Sequence, residues 1–78
     1  MVVNSAQVRM ARAALNWSLQ DLADAASIHR NTISNFETEK YAGDPETLKK
    51  LRAALEKAGV VFTNGDEPGV KLKKKKAR

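Results

Sequence analysis

The stretch "SIHRNTISNFETE", residues 27–39, decides how this chain is read. Taken as a helix, it has Ile33 and Phe36 on one side and Arg30, Asn31, Ser34 and Asn35 on the other. The pairs 30/34 and 31/35 are each one helical turn apart, so the four polar side chains form a single stripe. Their types suit base edges: arginine forks onto guanine O6 and N7, and asparagine pairs doubly with adenine N6 and N7. Asparagine is also a poor helix former, so two on one face need a cause other than helix stability, either function or capping. A merely solvated face more often carries Glu/Lys pairs, as residues 46–57 do with Glu46, Lys49, Lys50 and Glu56. The residues of this stretch alone leave a base-reading face and a solvated face both open.

Working outward, "NSAQVRMARAALNW" (4–17) and "NWSLQDLADAA" (16–26) both read as helices. Asn4 with Gln7 and Ser18 with Asp21 have the spacing of capping boxes, in which each side chain satisfies the other residue's backbone N–H. Val8, Ala11 and Leu15 recur at helical spacing as a buried stripe, with Arg9 outside it and Arg12 beside it. Leu22, Ala23 and Ala26 face inward, and the second helix ends near Ser27. The next helix begins only a few residues later, so the two must cross steeply rather than run antiparallel. After the loop "TEKYAGD", the segment "DPETLKKLRAALEKAG" (44–59) is the clearest helix. Asp44 is a good N-cap and Pro45 suits the first helical position. Leu48, Leu51 and Leu55 keep its stripe, and Gly59 suits a left-handed C-terminal residue.

Beyond Gly59 the period changes. "VVFTN" (60–64) and "GVKLK" (69–73) flank "GDEPG", the pattern of a short hairpin. A lone two-stranded hairpin is marginal in water, so this one must pack on the helices or pair with another chain. The fold class expected is mainly α: a bundle of four or five short helices with a C-terminal β-hairpin. The organisation expected is a helical domain over 1–58, a hairpin over 59–73 and a basic tail over 71–78.

The composition narrows the function. Without cysteine, neither disulfides nor a thiolate zinc site is available, and the lone His29 makes no metal site by itself. No nucleophile–base pair, phosphate loop or metal cluster stands out, so neither an enzyme nor a cofactor is expected. No apolar run approaches the ~20 residues of a membrane span, and "MVVNSAQVRM" lacks the pattern of a signal peptide. A cytoplasmic location without membrane association is the expectation. The net charge of +5 is concentrated: six of fourteen basic residues lie in "KLKKKKAR" at 71–78. Residues 1–70 carry eight basic and nine acidic residues. A near-neutral domain with a cationic tail suits a phosphate-bearing partner, unless the tail serves only solubility.

The register of Arg12, Ser18, Asp21, Leu22, Ala23, Thr32, Ile33, Ser34, Phe36 and Glu37 resembles the Cro/lambda-repressor (XRE) helix-turn-helix family over residues 7–55. The whole chain, with its "GVVFTNGDEPGVKLKK" ending, is similar to small stand-alone regulators of that family. The resemblance implies a helix over 18–26 lying across the DNA backbone and a recognition helix over 29–37 in the major groove. It puts Arg30, Asn31, Ser34 and Asn35 at bases. It puts Ser18, Gln20, His29, Thr38 and Lys40 at phosphates, and pairs Arg12 with Glu37 in a structural salt bridge. Four positions depart from the family pattern: Leu19 and Glu39 replace a common glutamine and glycine, Ser27 stands at the usual turn glycine, and His29 at the usual Ser or Thr cap. Trp17 is expected in the core, while Tyr41 either donates to a phosphate or covers the core.

The leading expectation is therefore a homodimeric repressor that binds double-stranded DNA at a palindromic operator. Two other readings stay open. One is an antitoxin or other protein-interaction module, with a protein partner held by the hairpin or tail. The other is an RNA- or membrane-surface binder driven by the lysine run, which leaves Arg30, Asn31 and Asn35 without a role.

Overall fold

Among the described residues four helices and one hairpin follow in chain order, and each helix begins where a polar side chain caps it. Helix α1 (Ser5–Leu15) starts after Asn4, whose Oδ1 accepts from the Gln7 N–H at 2.8 Å while the Asn4 N–H donates to Gln7 Oε1 at 3.0 Å. Helix α2 (Leu19–Ala26) repeats the device with Ser18 and Asp21, at 3.0 and 2.9 Å. Helix α3 (Arg30–Glu37) is capped by His29, and helix α4 (Pro45–Lys57) by Asp44, which accepts from the Thr47 N–H at 2.7 Å. The hairpin consists of β1 (Val60–Thr63) and β2 (Gly69–Leu72), antiparallel, with Val60 opposite Leu72 and Phe62 opposite Val70. The computed structural model describes residues 3–63 and 67–73. The expected basic tail thus lies, from residue 74 on, outside the described residues.

The apolar stripes meet in one core. Val8, Ala11, Leu22, Ile33, Leu51 and Leu55 are fully buried, and Val3, Ala23, Ala26, Phe36, Val60 and Phe62 complete the cluster. Each such Leu, Ile or Phe removes enough surface from water to contribute about 1.5–3 kcal/mol. Leu15, Trp17, Leu19, Ile28 and Leu48 are only half-buried and line the rim of the cluster. Helix α2 packs on both α3 and α4, so the short α2–α3 join is braced from a third side.

The hairpin is held by the helices rather than standing alone. Strand β2 lies along α1 and β1 against α4. Gln7, 1% exposed, provides the polar link: its Nε2 donates to the carbonyls of Thr63 (3.1 Å) and Gly69 (3.2 Å). Those two residues face each other at the turn end of the hairpin. The same side chain that closes the α1 capping box therefore ties α1 to the hairpin, and its own buried amide is fully hydrogen-bonded.

Candidate nucleic-acid interface

The turn between α2 and α3 comprises Ser27, Ile28 and His29. Ser27 adopts a left-handed conformation, φ +57°, which ends α2 abruptly. A serine there costs on the order of 1 kcal/mol relative to glycine. The Ile28 N–H closes the turn onto the Ala23 carbonyl at 3.1 Å. His29 then caps α3 through its ring: Nδ1 accepts from the Asn31 N–H at 3.2 Å. An accepting Nδ1 places the proton of the neutral ring on Nε2, which leaves an exposed donor at the start of α3.

Helix α3 is divided sharply between inside and outside. Ile33, Phe36 and Glu37 are buried, whereas Arg30, Asn31 and Asn35 are exposed and Ser34 is half-buried. No hydrogen bond joins the side chains of Arg30, Asn31 or Asn35 to another described residue, so their donors and acceptors face outward unspent.

The C-terminal end of α3 is anchored from α1. The Arg12 guanidinium grips the Glu37 carboxylate with two bonds, Nε to Oε2 at 2.8 Å and Nη2 to Oε1 at 2.9 Å. Its Nη1 donates to the Trp17 carbonyl at 2.9 Å, which fixes the α1–α2 corner as well. The hydrogen bond to Glu37 outweighs partial burial and raises the Arg12 pKa. Arg9 Nη1 also donates to the Glu37 carbonyl oxygen. Two cationic side chains thus meet the negative end of the α3 dipole, a favourable placement.

The chain leaves α3 by a Schellman turn. The Glu39 N–H donates to the Phe36 carbonyl (3.1 Å) and the Lys40 N–H to the Asn35 carbonyl (2.8 Å), with Glu39 left-handed at φ +65°. Lys40 is exposed, while the Thr38 hydroxyl donates back to the Ser34 carbonyl at 2.9 Å. The Thr38 side chain therefore has only its lone pairs to offer outward. Tyr41 is half-buried against the core, and its hydroxyl accepts from the Asp44 N–H at 3.1 Å. That bond fixes the loop before α4.

At the start of α2, Ser18 is exposed; its Oγ accepts from the Asp21 N–H, leaving the hydroxyl proton to donate elsewhere. Leu19 is turned into the rim of the core, and the exposed Gln20 donates to Asp24 Oδ1 at 2.8 Å. One amide proton of Gln20 is left for an outside acceptor. Among the described residues no group of His, Asp and Glu could hold a metal ion, and no helix is long and apolar enough to cross a membrane.

Two tightly joined helices, with the second presenting a free polar stripe, are the core of a helix-turn-helix. Residues 8–60 match the family model described as helix-turn-helix. The chain belongs to that family, in its Cro/lambda-repressor (XRE) branch. No curated protein sequence matches it. As a helix-turn-helix protein it is a DNA-binding regulator of transcription, a class whose domains are not typically enzymatic. Double-stranded DNA is its partner.

Two contributors to this helix-turn-helix escaped the sequence reading. Arg9 stood outside the apolar stripe of α1, and nothing local pairs it with a carbonyl 28 positions on. Gln7 was legible as half of a capping box, but its bonds to Thr63 and Gly69 span 56 and 62 positions. Asn16, left-handed at φ +58°, closes α1. Its signal was present, since asparagine is the non-glycine residue that visits this conformation most readily.

Proposed function

We propose that the chain is a homodimeric repressor that reads a palindromic operator with α3 in the major groove. The observation that carries this reading is the exposed row of Arg30, Asn31 and Asn35 on a helix anchored at both ends. Ser34 lies beside that row and completes the base-contacting set. The fixed backbone positions these donors before DNA arrives, so little ordering cost falls on binding. Ser18, Gln20, His29 and Lys40 meet phosphates on either side, with Thr38 contributing through its lone pairs to bound water rather than by direct donation. The lysine run adds attraction that falls with salt.

One module of this size makes few base contacts, and a two-fold dimer doubles them over half-sites about 34 Å apart. The hairpin supports this part of the reading. Leu72 is 46% exposed although it shares a sheet face with the buried Val60 and Phe62. Strand β2 has one strand neighbour, β1, among the described residues.

Selection of bound sequences from a random DNA pool tests the proposal, combined with sedimentation of the protein with and without the selected duplex. The expected result is a palindromic consensus bound by two chains. Enrichment without a consensus would reject it.

A further inference from the structure

Glu39 is costly at its position in three independent ways. Among the described residues it is one of three non-glycine residues with a left-handed backbone, alongside Asn16 and Ser27. That conformation suits glycine and, less well, asparagine. Its carboxylate follows directly on the C-terminus of α3, where the helix dipole is negative and an anion is unfavourable. It also lies between Thr38 and Lys40, which the proposed reading sets against the DNA backbone.

No described side chain bonds the Glu39 carboxylate. The Schellman turn uses only the Glu39 N–H, and glycine would supply the same bond. The exposed carboxylate forms no ion pair and accepts no hydrogen bond among the described residues. Arg9 and Arg12, the two cations that anchor this end of α3, bond Glu37.

We infer that Glu39 limits the affinity of this protein for DNA: its carboxylate repels the phosphates that Thr38 and Lys40 approach. The inference rests on the proposed placement of α3 in the major groove. Phosphates carry no sequence information, so the repulsion weakens every site by the same factor and leaves discrimination between sites unchanged. The protein then fills its operator only at a higher concentration than its reading surface alone would require.

The test compares wild type, Glu39→Gln, Glu39→Gly and Arg30→Ala on a selected duplex and on a scrambled one, at low and at high salt. Glu39→Gln removes the charge and keeps the backbone geometry. It should bind about threefold tighter per half-site, and about tenfold tighter as a two-fold complex, at low salt. The gain should be equal on both duplexes and shrink as salt rises, and Tm should rise by about 2 °C because the anion at the α3 C-terminus is gone. Glu39→Gly should show the same gain in affinity and a Tm higher by about a further 4 °C, because the left-handed strain is relieved as well. If Glu39→Gln binds no tighter at low salt while Arg30→Ala loses affinity, the inference fails and the placement of α3 stands. If Arg30→Ala also keeps full affinity, both fail.

Discussion

Helices α3 and α4 solve the same packing problem and treat their outer faces in opposite ways. Each buries an apolar stripe, Ile33 and Phe36 in α3, Leu51 and Leu55 in α4. The outer face of α4 is self-sufficient: Arg52 Nε bonds Glu56 Oε2 at 3.1 Å, one turn apart, and lysines surround them in solvent. The outer face of α3 has no such pairing. Arg30, Asn31 and Asn35 stand exposed with their hydrogen-bonding groups uncommitted, and the two asparagines do not favour a helix. Stability has been supplied to α3 from elsewhere, by the Arg12–Glu37 fork below and the His29 cap at its start. A surface left unpaired on a helix whose buried side is reinforced is what the proposed base-reading role requires.

This contrast can be broken most directly at the anchor. Glu37→Ala leaves the Arg12 guanidinium against the core without its carboxylate, and Arg12 is only 24% exposed. Loss of a buried partner costs about 3–5 kcal/mol, and the partial exposure of Arg12 reduces this to about 2–4 kcal/mol. Chemical denaturation should show that loss, and DNA binding should fall with it. An unchanged denaturation midpoint would mean that α3 does not depend on the fork.

The start of α4 gives a smaller effect with a definite pH sign. Asp44 is held below the ordinary carboxylate range, chiefly by the hydrogen bond from the Thr47 backbone N–H. A lowered folded-state pKa adds stability above the unfolded value of about 3.9 that is lost as pH falls through the folded value. Asp44→Asn keeps the capping oxygen and does not titrate. Thermal denaturation should therefore show the advantage of wild type over Asp44→Asn shrinking between about pH 5 and about pH 2. A constant difference over that window would refute the assignment.

The smallest expected effect lies on the outer face of α4. Arg52→Ala removes an exposed i,i+4 pair and should cost only about 0.3–0.5 kcal/mol of stability, with no change in DNA affinity. A loss of affinity comparable with that of an α3 variant would erase the distinction between the two faces.

Much of this arrangement was legible because it is local. Both capping boxes follow from residues three apart, and the α4 start from the pair Asp44–Pro45. The division of α3 into Ile33–Phe36 inside and Arg30–Asn31–Asn35 outside follows from helical period alone. The left-handed Ser27 and Glu39 were visible only as departures from a family pattern, because serine and glutamate do not announce that conformation. Most of the rest was illegible for a physical reason: it is long-range. That Gln7 holds the hairpin, and that Arg9 reaches the end of α3, depends on how α1 lies in the assembled fold. The engagement of the Thr38 hydroxyl with Ser34 was local, yet threonine at a helix end has two equally reasonable uses, and the sequence favours neither.

The central claim, that the unpaired face of α3 reads bases, is tested most directly by Asn31→Ala. Its affinity should be measured on the selected operator and on every single-base replacement in a half-site. The account predicts that discrimination collapses at one position, by about 1–3 kcal/mol, while the other positions keep their preferences and Tm does not fall. A uniform loss across all replacements, or no loss at any, would contradict it.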